Sequence, residues 1–317
     1  MSYFPDFIRQ SMMTGGQGGG GSRGGSLDFA TPTDNLYAFA KLWSTLDAQP
    51  MLSSFHGTMF AMVGNQKLQP LFGYAGIGNF QARIEQDGAV RMRGKETGYF
   101  TDLATGDVLE TWDNPFTGET VEVYNFLNDR IRGVLGAEMP VYSFGEEGDE
   151  PTLMNETSGS TTGGSVPFIL PWEFYGDRVH LGWDYTHRYT NPLSPDKYPK
   201  ASTGKYINPS EHFTFTTSLA ELSDRSKPYA RYTAGFSRLS PWWPWMMMGQ
   251  SGVEGVLFGR MTSVKDQGRA EDVPRKILDY TEKHYPQYLE PCDDWDDGGP
   301  ISTWEAYARD ISPEINE

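Results

Sequence analysis

Beyond residue 54 hydrophobic side chains recur at alternate positions, in short runs broken by Gly, Pro, Asn and Asp. A period of two is the signature of strands with one face buried. The spacing predicts strands over 54–64 and 68–76, then a hairpin that runs from Asn79 to Asp102 around Gln86-Asp87-Gly88. Further strands are predicted over 166–175, 178–190, 211–218, 228–238 and 252–264. Helical spacing is confined to a few places. Leu36, Phe39, Ala40, Trp43 and Leu46 form one stripe, with Thr33 or Asp34 as the cap of a helix reaching about Asp47. Pro274 opens a second helix to His284, and Ser302 or Thr303 caps a last one through Arg309.

Between these runs lies a short internal repeat. Thr105-Gly106-Asp107 returns twelve residues later as Thr117-Gly118-Glu119, with Leu109 matching Val121 and Trp112 matching Tyr124. Twelve residues is too short for a solenoid unit, so the repeat predicts successive hairpins. The expected fold is mainly β, an antiparallel barrel-like core of the calycin or lipocalin kind with a few peripheral helices. Two parts are expected. Residues 1–32 form a flexible arm, with a Gly-rich stretch from Gly15 to Gly25, and residues 33–317 form a single domain with a C-terminal helical extension.

Composition narrows the partners. Aromatic residues make up 14% of the chain and the formal net charge is −16. Phosphate backbones and anionic lipid surfaces call for cationic patches, so nucleic acid and membranes are expected to be no partners. No apolar run approaches the roughly twenty residues of a spanning helix. The N-terminus lacks a basic segment followed by an apolar one, which makes the cytoplasm the expected location. The single cysteine, Cys292, sits beside Asp293 and Asp294 and is a poor thiolate.

Strand parity nominates polar groups that share a face with apolar ones. Glu96 falls with Val90, Met92 and Phe100, whereas Tyr99 takes the opposite face. Asn125 falls with Val121, Val123 and Leu127, and Arg260 with Val256 and Phe258. Arg238 follows Tyr232 and Phe236, and His187 lies with Val179, Leu181, Trp183, Tyr185 and Tyr189. Buried polar groups are costly unless paired or useful. A carboxylate, an imidazole and a guanidinium in one aromatic-walled cavity suit acid–base chemistry; a structural ion pair with a core histidine is the alternative. The segment Pro241-Trp242-Trp243-Pro244-Trp245 and Met246–Met248 fits a ligand wall, a core plug or a homo-oligomer interface equally well. Dinucleotide, phosphate-loop, nucleophile-elbow, calcium-loop and zinc motifs are absent at their required spacings, so no cofactor and no metal are expected.

Two motifs together resemble a bacterial family known as a domain of unknown function. The first is Glu96-x-x-Tyr99-x-x-Asp102-x-x-Thr105-Gly106, continuing as Trp112-x-Asn114-Pro115-x-Thr117-Gly118-Glu119. The second is Trp243-Pro244-Trp245-Met246-x-Met248-Gly249, joined by Asp272-Val273-Pro274 and Tyr288 to Pro291. The resemblance covers roughly residues 35–310. It implies kinship with enzymes of lignin-derived biaryl catabolism, in particular phenylcoumaran γ-formaldehyde lyases, which release formaldehyde without a redox cofactor. On that reading Glu96 or His187 is the base. Arg238 or Arg260 stabilises negative charge, and Tyr99 or Tyr185 relays a proton. Asn125, Trp112, Trp183, Tyr185, Trp243 and Trp245 bind the substrate. The alternative from the same residues is a non-catalytic carrier of a hydrophobic aromatic molecule.

Overall fold

The structure, a computed structural model, describes residues 27–49, 51–140, 165–186, 189–292, 295 and 302–311. Nine strands form one antiparallel ladder. In chain order they are β1 (Leu52–Val63), β2 (Gln69–Ile84), β3 (Val90–Thr101), β6 (Phe126–Leu135), β9 (Trp172–Tyr175), β10 (Arg178–Thr186), β13 (Ser210–Ser218), β14 (Tyr232–Ser240) and β15 (Gly255–Lys265). Across the sheet they run β6-β3-β2-β1-β15-β14-β13-β10-β9. Among the described strands β6 and β9 are the two edges, and the ladder does not close on itself. Small two-stranded ribbons complete the β structure: β4 (Thr111–Asp113) with β5 (Thr120–Glu122), β7 (Glu138–Pro140) with β8 (Ser165–Pro167), and β11 (Tyr189–Thr190) with β12 (Tyr206–Ile207). No described helix is long and apolar enough to cross a membrane.

The sheet is curled rather than flat. The Trp43 ring lies 6.1 Å from that of Phe80 on β2 and 5.4 Å from that of Phe213 on β13. Those rings are therefore within about 12 Å of each other, although strands four places apart in a flat sheet would be separated by roughly 19 Å.

Helix α1 (Pro32–Trp43) fills one end of the concave face. The Thr31 side chain caps it, Pro32 occupies its first turn, and Leu36, Phe39, Ala40 and Leu42 pack on Ala82, Val90, Leu181 and Phe215. It ends earlier than its periodicity predicts, because Lys265 Nζ takes the carbonyls of Lys41, Leu42 and Ser44 at 2.9, 2.6 and 2.8 Å. Thr45 then pairs with Gln81 of β2. Lys41 repeats the device on the short helix α2 (Leu219–Ser223), reaching the carbonyls of Glu221, Leu222 and Asp224. Each ammonium satisfies carbonyls that a helix end leaves open. The expected arm reaches into this region at its described end: Leu27 is buried, and Phe29 packs edge-on against Trp172 and Phe174.

The opposite end is filled by the Trp/Met segment and by α4 (Thr303–Ile311), whose Trp304 and Tyr307 are buried. Ser302 and Glu305 form a reciprocal cap at the start of α4. Helix α3 (Arg275–His284) covers the convex face of β2 and β3 through Ile277, Leu278 and Thr281.

Candidate functional site

The concave face between the two plugs carries a floor of nearly bare backbone. Gly76 and Gly78 of β2 stand beside Gly98 and, diagonally, Gly94 of β3. Aromatic rings occupy the space their side chains would take. A Cβ on Gly76 would meet Phe55 at 2.4 Å, one on Gly94 would meet Phe80 at 2.2 Å, and one on Gly98 would meet the Tyr74 hydroxyl at 2.0 Å. The glycines therefore let rings lie flat on the sheet. Glu96 rises from this floor, between Gly94 and Gly98 along β3 and directly opposite Gly78.

Glu96 remains partly accessible, yet burial among these rings pushes its carboxyl up to about 8. Desolvation is the main cause, the charge of Glu211 adds to it, and Arg238 opposes it. Among the described residues no hydrogen-bond donor or cation contacts this carboxyl. Glu211 and Arg238 are cross-strand partners on β13 and β14, and their side chains meet at 2.8 Å. Beside them Phe213 and Phe236 stack at 4.5 Å. The Tyr74 hydroxyl is raised by burial, then by Glu96, and is held back by Arg238. Burial likewise raises the hydroxyl of Tyr189 on β11, which also feels Arg238 and Glu211. Tyr74 thus couples to both carboxyls and the guanidinium, while its ring contacts Phe55, Phe100 and Trp243 at 5.4, 5.2 and 6.1 Å.

The two sequence motifs meet at one wall of this site. Asp102 and Asn114 open equivalent turns. Asp102 Oδ1 accepts from the backbone of Ala104 and Thr105, and Asn114 Oδ1 from that of Phe116 and Thr117. Gly106 and Gly118 take positive φ in them, at 74° and 71°. The twelve-residue repeat is therefore one turn built twice. The second turn has an extra tie, since Asn114 Nδ2 donates to the Met246 carbonyl at 2.8 Å. Met247 follows in the left-handed region at φ 55°, and Gly249 lies where a Cβ would be 2.1 Å from the Ser202 carbonyl.

The nominated residues scatter between site and scaffold. Glu96 and Arg238 lie on the concave face with Trp243. Arg260 does not: it shares a face with Phe258 and Val256, but that face is the convex one and Arg260 is exposed. Parity groups residues without saying which side is inside. His56 is exposed on the same outer face. Tyr99 is also on the convex side, fully buried under α3 and hydrogen-bonded to Thr281 at 3.0 Å, away from Glu96. Asn125 spends its oxygen on the Phe100 amide. Trp112 and Trp245 pack together at 5.8 Å as core, and Trp183 stacks near Phe39 of α1. His187 lies outside the described residues, as does the Tyr185 side chain. Sequence reasoning missed Tyr74, Glu211 and Tyr189 as site residues. The Gly76-Ile77-Gly78 run and the flanking Gly94 and Gly98 around Glu96 were the available signal for Tyr74, and Glu211 shares parity with Phe213 and Phe215.

A second polar constellation lies on the convex face. Ser210 Oγ is 3.0 Å from His212 Nε2, and His212 Nδ1 is 2.9 Å from Asp184. The order matches a hydrolase triad, but β13 is laddered on both sides from Ser210 to Thr216, so its amides are engaged and offer no oxyanion hole. An open hollow of about 450 Å³ on the same face is lined by Glu173, Tyr175, His180, Gly182 and Thr214, away from Glu96.

Fold and site together define a mainly-β protein with a large antiparallel sheet and, on its concave, aromatic-lined face, a desolvated carboxyl that has no bonded partner among the described residues. The chain belongs to the DUF1838 family, described as a protein of unknown function, whose profile matches residues 48–311. No match was found among curated proteins. Solved structures give distant similarities. Rv2717c from M. tuberculosis is 8% identical with a TM-score of 0.23, over 73% of this chain and 97% of that one. MucB in complex with MucA(peri) is 11% identical with a TM-score of 0.12, over 76% and 96%.

Proposed function

We propose that the chain is a cofactor-independent carbon–carbon lyase that releases formaldehyde from the hydroxymethyl group of a phenolic, phenylcoumaran-like biaryl. The observation that carries this reading is Glu96, an accessible carboxyl with a pKa of about 8 and no bonded partner among the described residues. In its ionised form it takes the hydroxyl proton of the side chain. The O–H electron pair becomes the carbonyl of formaldehyde, and the Cγ–Cβ pair becomes the Cβ=Cα double bond. The Cα–O bond of the dihydrofuran ring breaks as that double bond forms, its electron pair leaving on oxygen as a phenolate. The proton held by Glu96 returns to that phenolate, so atoms and charge balance. A group that must accept and then donate works best with a pKa near the working pH. That returning proton offsets the charge of the developing phenolate, and Trp243 and Tyr74 hold the rings. The reading takes the curled sheet and its two plugs as a barrel-like enclosure, acting in the cytoplasm.

The test is incubation with a phenylcoumaran bearing a free hydroxymethyl group, following formaldehyde and stilbene together. The expected result is equal release of both without an added redox cofactor, and a loss of at least about 10²-fold in Glu96→Gln. Binding of the phenylcoumaran with no formaldehyde would sink the lyase and leave a carrier of aromatic molecules.

A further inference from the structure

The charges on the concave face are unevenly matched. Glu211 is near enough to Glu96 to raise the cost of ionising it, and one guanidinium, Arg238, opposes that effect. That guanidinium is already engaged, with Arg238 Nη1 2.8 Å from Glu211 Oε1. Both side chains of the pair keep about a fifth of their surface accessible, 19% for Arg238 and 21% for Glu211. The pair therefore stays in contact with solvent on the concave face rather than being sealed in the core. The register enforces the arrangement: Glu211 and Arg238 face each other across β13 and β14, with the Phe213–Phe236 stack as the next pair on the same side. A structural ion pair needs no such position. Had the concave face been built to take an organic acid, an uncommitted Arg238 would be the natural anchor for its carboxylate. Glu211 occupies that anchor instead.

We propose that Glu211 is a specificity determinant that masks Arg238, restricting the site to uncharged aromatic alcohols and excluding the corresponding carboxylates. The inference rests on reading the concave face as a ligand site, but not on the protein being a lyase. An arriving carboxylate would bring a further negative charge beside a guanidinium whose charge Glu211 already balances, in surroundings of low polarity where like charges a few ångströms apart repel strongly. A neutral hydroxymethyl group meets no such barrier.

The test uses para-hydroxycinnamyl alcohol and para-hydroxycinnamate, which differ only in CH₂OH against CO₂⁻, titrated calorimetrically at neutral pH into the full-length protein. The wild type is expected to bind the alcohol at least about tenfold more tightly than the acid. Glu211→Gln should raise affinity for the acid at least about tenfold and move the alcohol less than about threefold. The double variant Glu211→Gln/Arg238→Gln should lose the acid again, showing that the gain runs through the guanidinium. Circular dichroism of each variant guards against unfolding, and the alcohol-to-acid ratio of the wild type keeps the test open if a variant is unstable. Equal binding of both probes to the wild type, an unchanged ratio in Glu211→Gln, or binding of neither probe would overturn the proposal. Failure of the lyase reading is distinguishable, because it leaves the alcohol bound with no formaldehyde formed.

Discussion

Glu96 illustrates how one side chain links the sheet to pH. Its carboxyl is pushed from 4.5 to about 8, mostly by desolvation. The native state thus keeps a proton that the unfolded chain has released through that interval. The stabilisation this group contributes is complete below pH 4.5 and is lost as pH rises through 8. Discounted for the part of the side chain still in contact with solvent, the loss is on the order of 2–3 kcal/mol. Denaturant melts at pH 5 and pH 9 should show that difference between the wild type and Glu96→Gln, whose amide has no proton to lose. At this scale alternation identified Glu96 and Arg238 correctly as inward. It misplaced Arg260, because Phe258 and Val256 looked like core markers although they lie on the outer surface with Phe60. Glu211 went unnoticed because it stood at the start of its predicted strand, where facing is least apparent.

The elements show why the two motifs travel together. Asp102 and Asn114 cap turns of the same construction, but Asn114 also reaches the Met246 carbonyl and so joins the β4–β5 ribbon to the tryptophan segment. Asn114→Ala should therefore cost about 2 kcal/mol or more, and Asp102→Ala about 1 kcal/mol, as read from thermal melts. Equal losses would mean that the tie contributes nothing beyond the turn. The twelve-residue spacing made both turns legible in advance. The tie was not legible, since 132 residues separate its ends. Strand ends were blurred for a related reason. Gly76 and Gly78 read as a break, yet they lie inside a single sixteen-residue strand because rings from elsewhere fill their place.

For the molecule as a whole, the antiparallel, mainly-β class followed from alternation and turn residues, and so did the positions of α1, α3 and α4. The curl of the sheet and the open ladder did not, because both depend on contacts between strands far apart in the chain. One buried contact holds sheet and plug in register. Lys265 at the end of β15 binds three carbonyls at the end of α1, and α1 in turn sends Lys41 to α2. Lys265→Met would leave those carbonyls without donors in an apolar surrounding. The expected cost is about 3 kcal/mol or more, seen as a lower midpoint in chemical denaturation. A variant as stable as the wild type would show that packing alone seats the helix.

The glycine floor has a consequence for how such a protein can change. A carboxyl that springs from bare backbone has no neighbouring side chains on its own strands that mutation can trade. At Gly76, Gly94 and Gly98 even one added methyl displaces a ring. New preferences must then arise on the facing wall, from β13, β14 and the tryptophan segment. Diversification of this scaffold, natural or in the laboratory, is therefore turned away from the glycine floor and toward the wall that faces it.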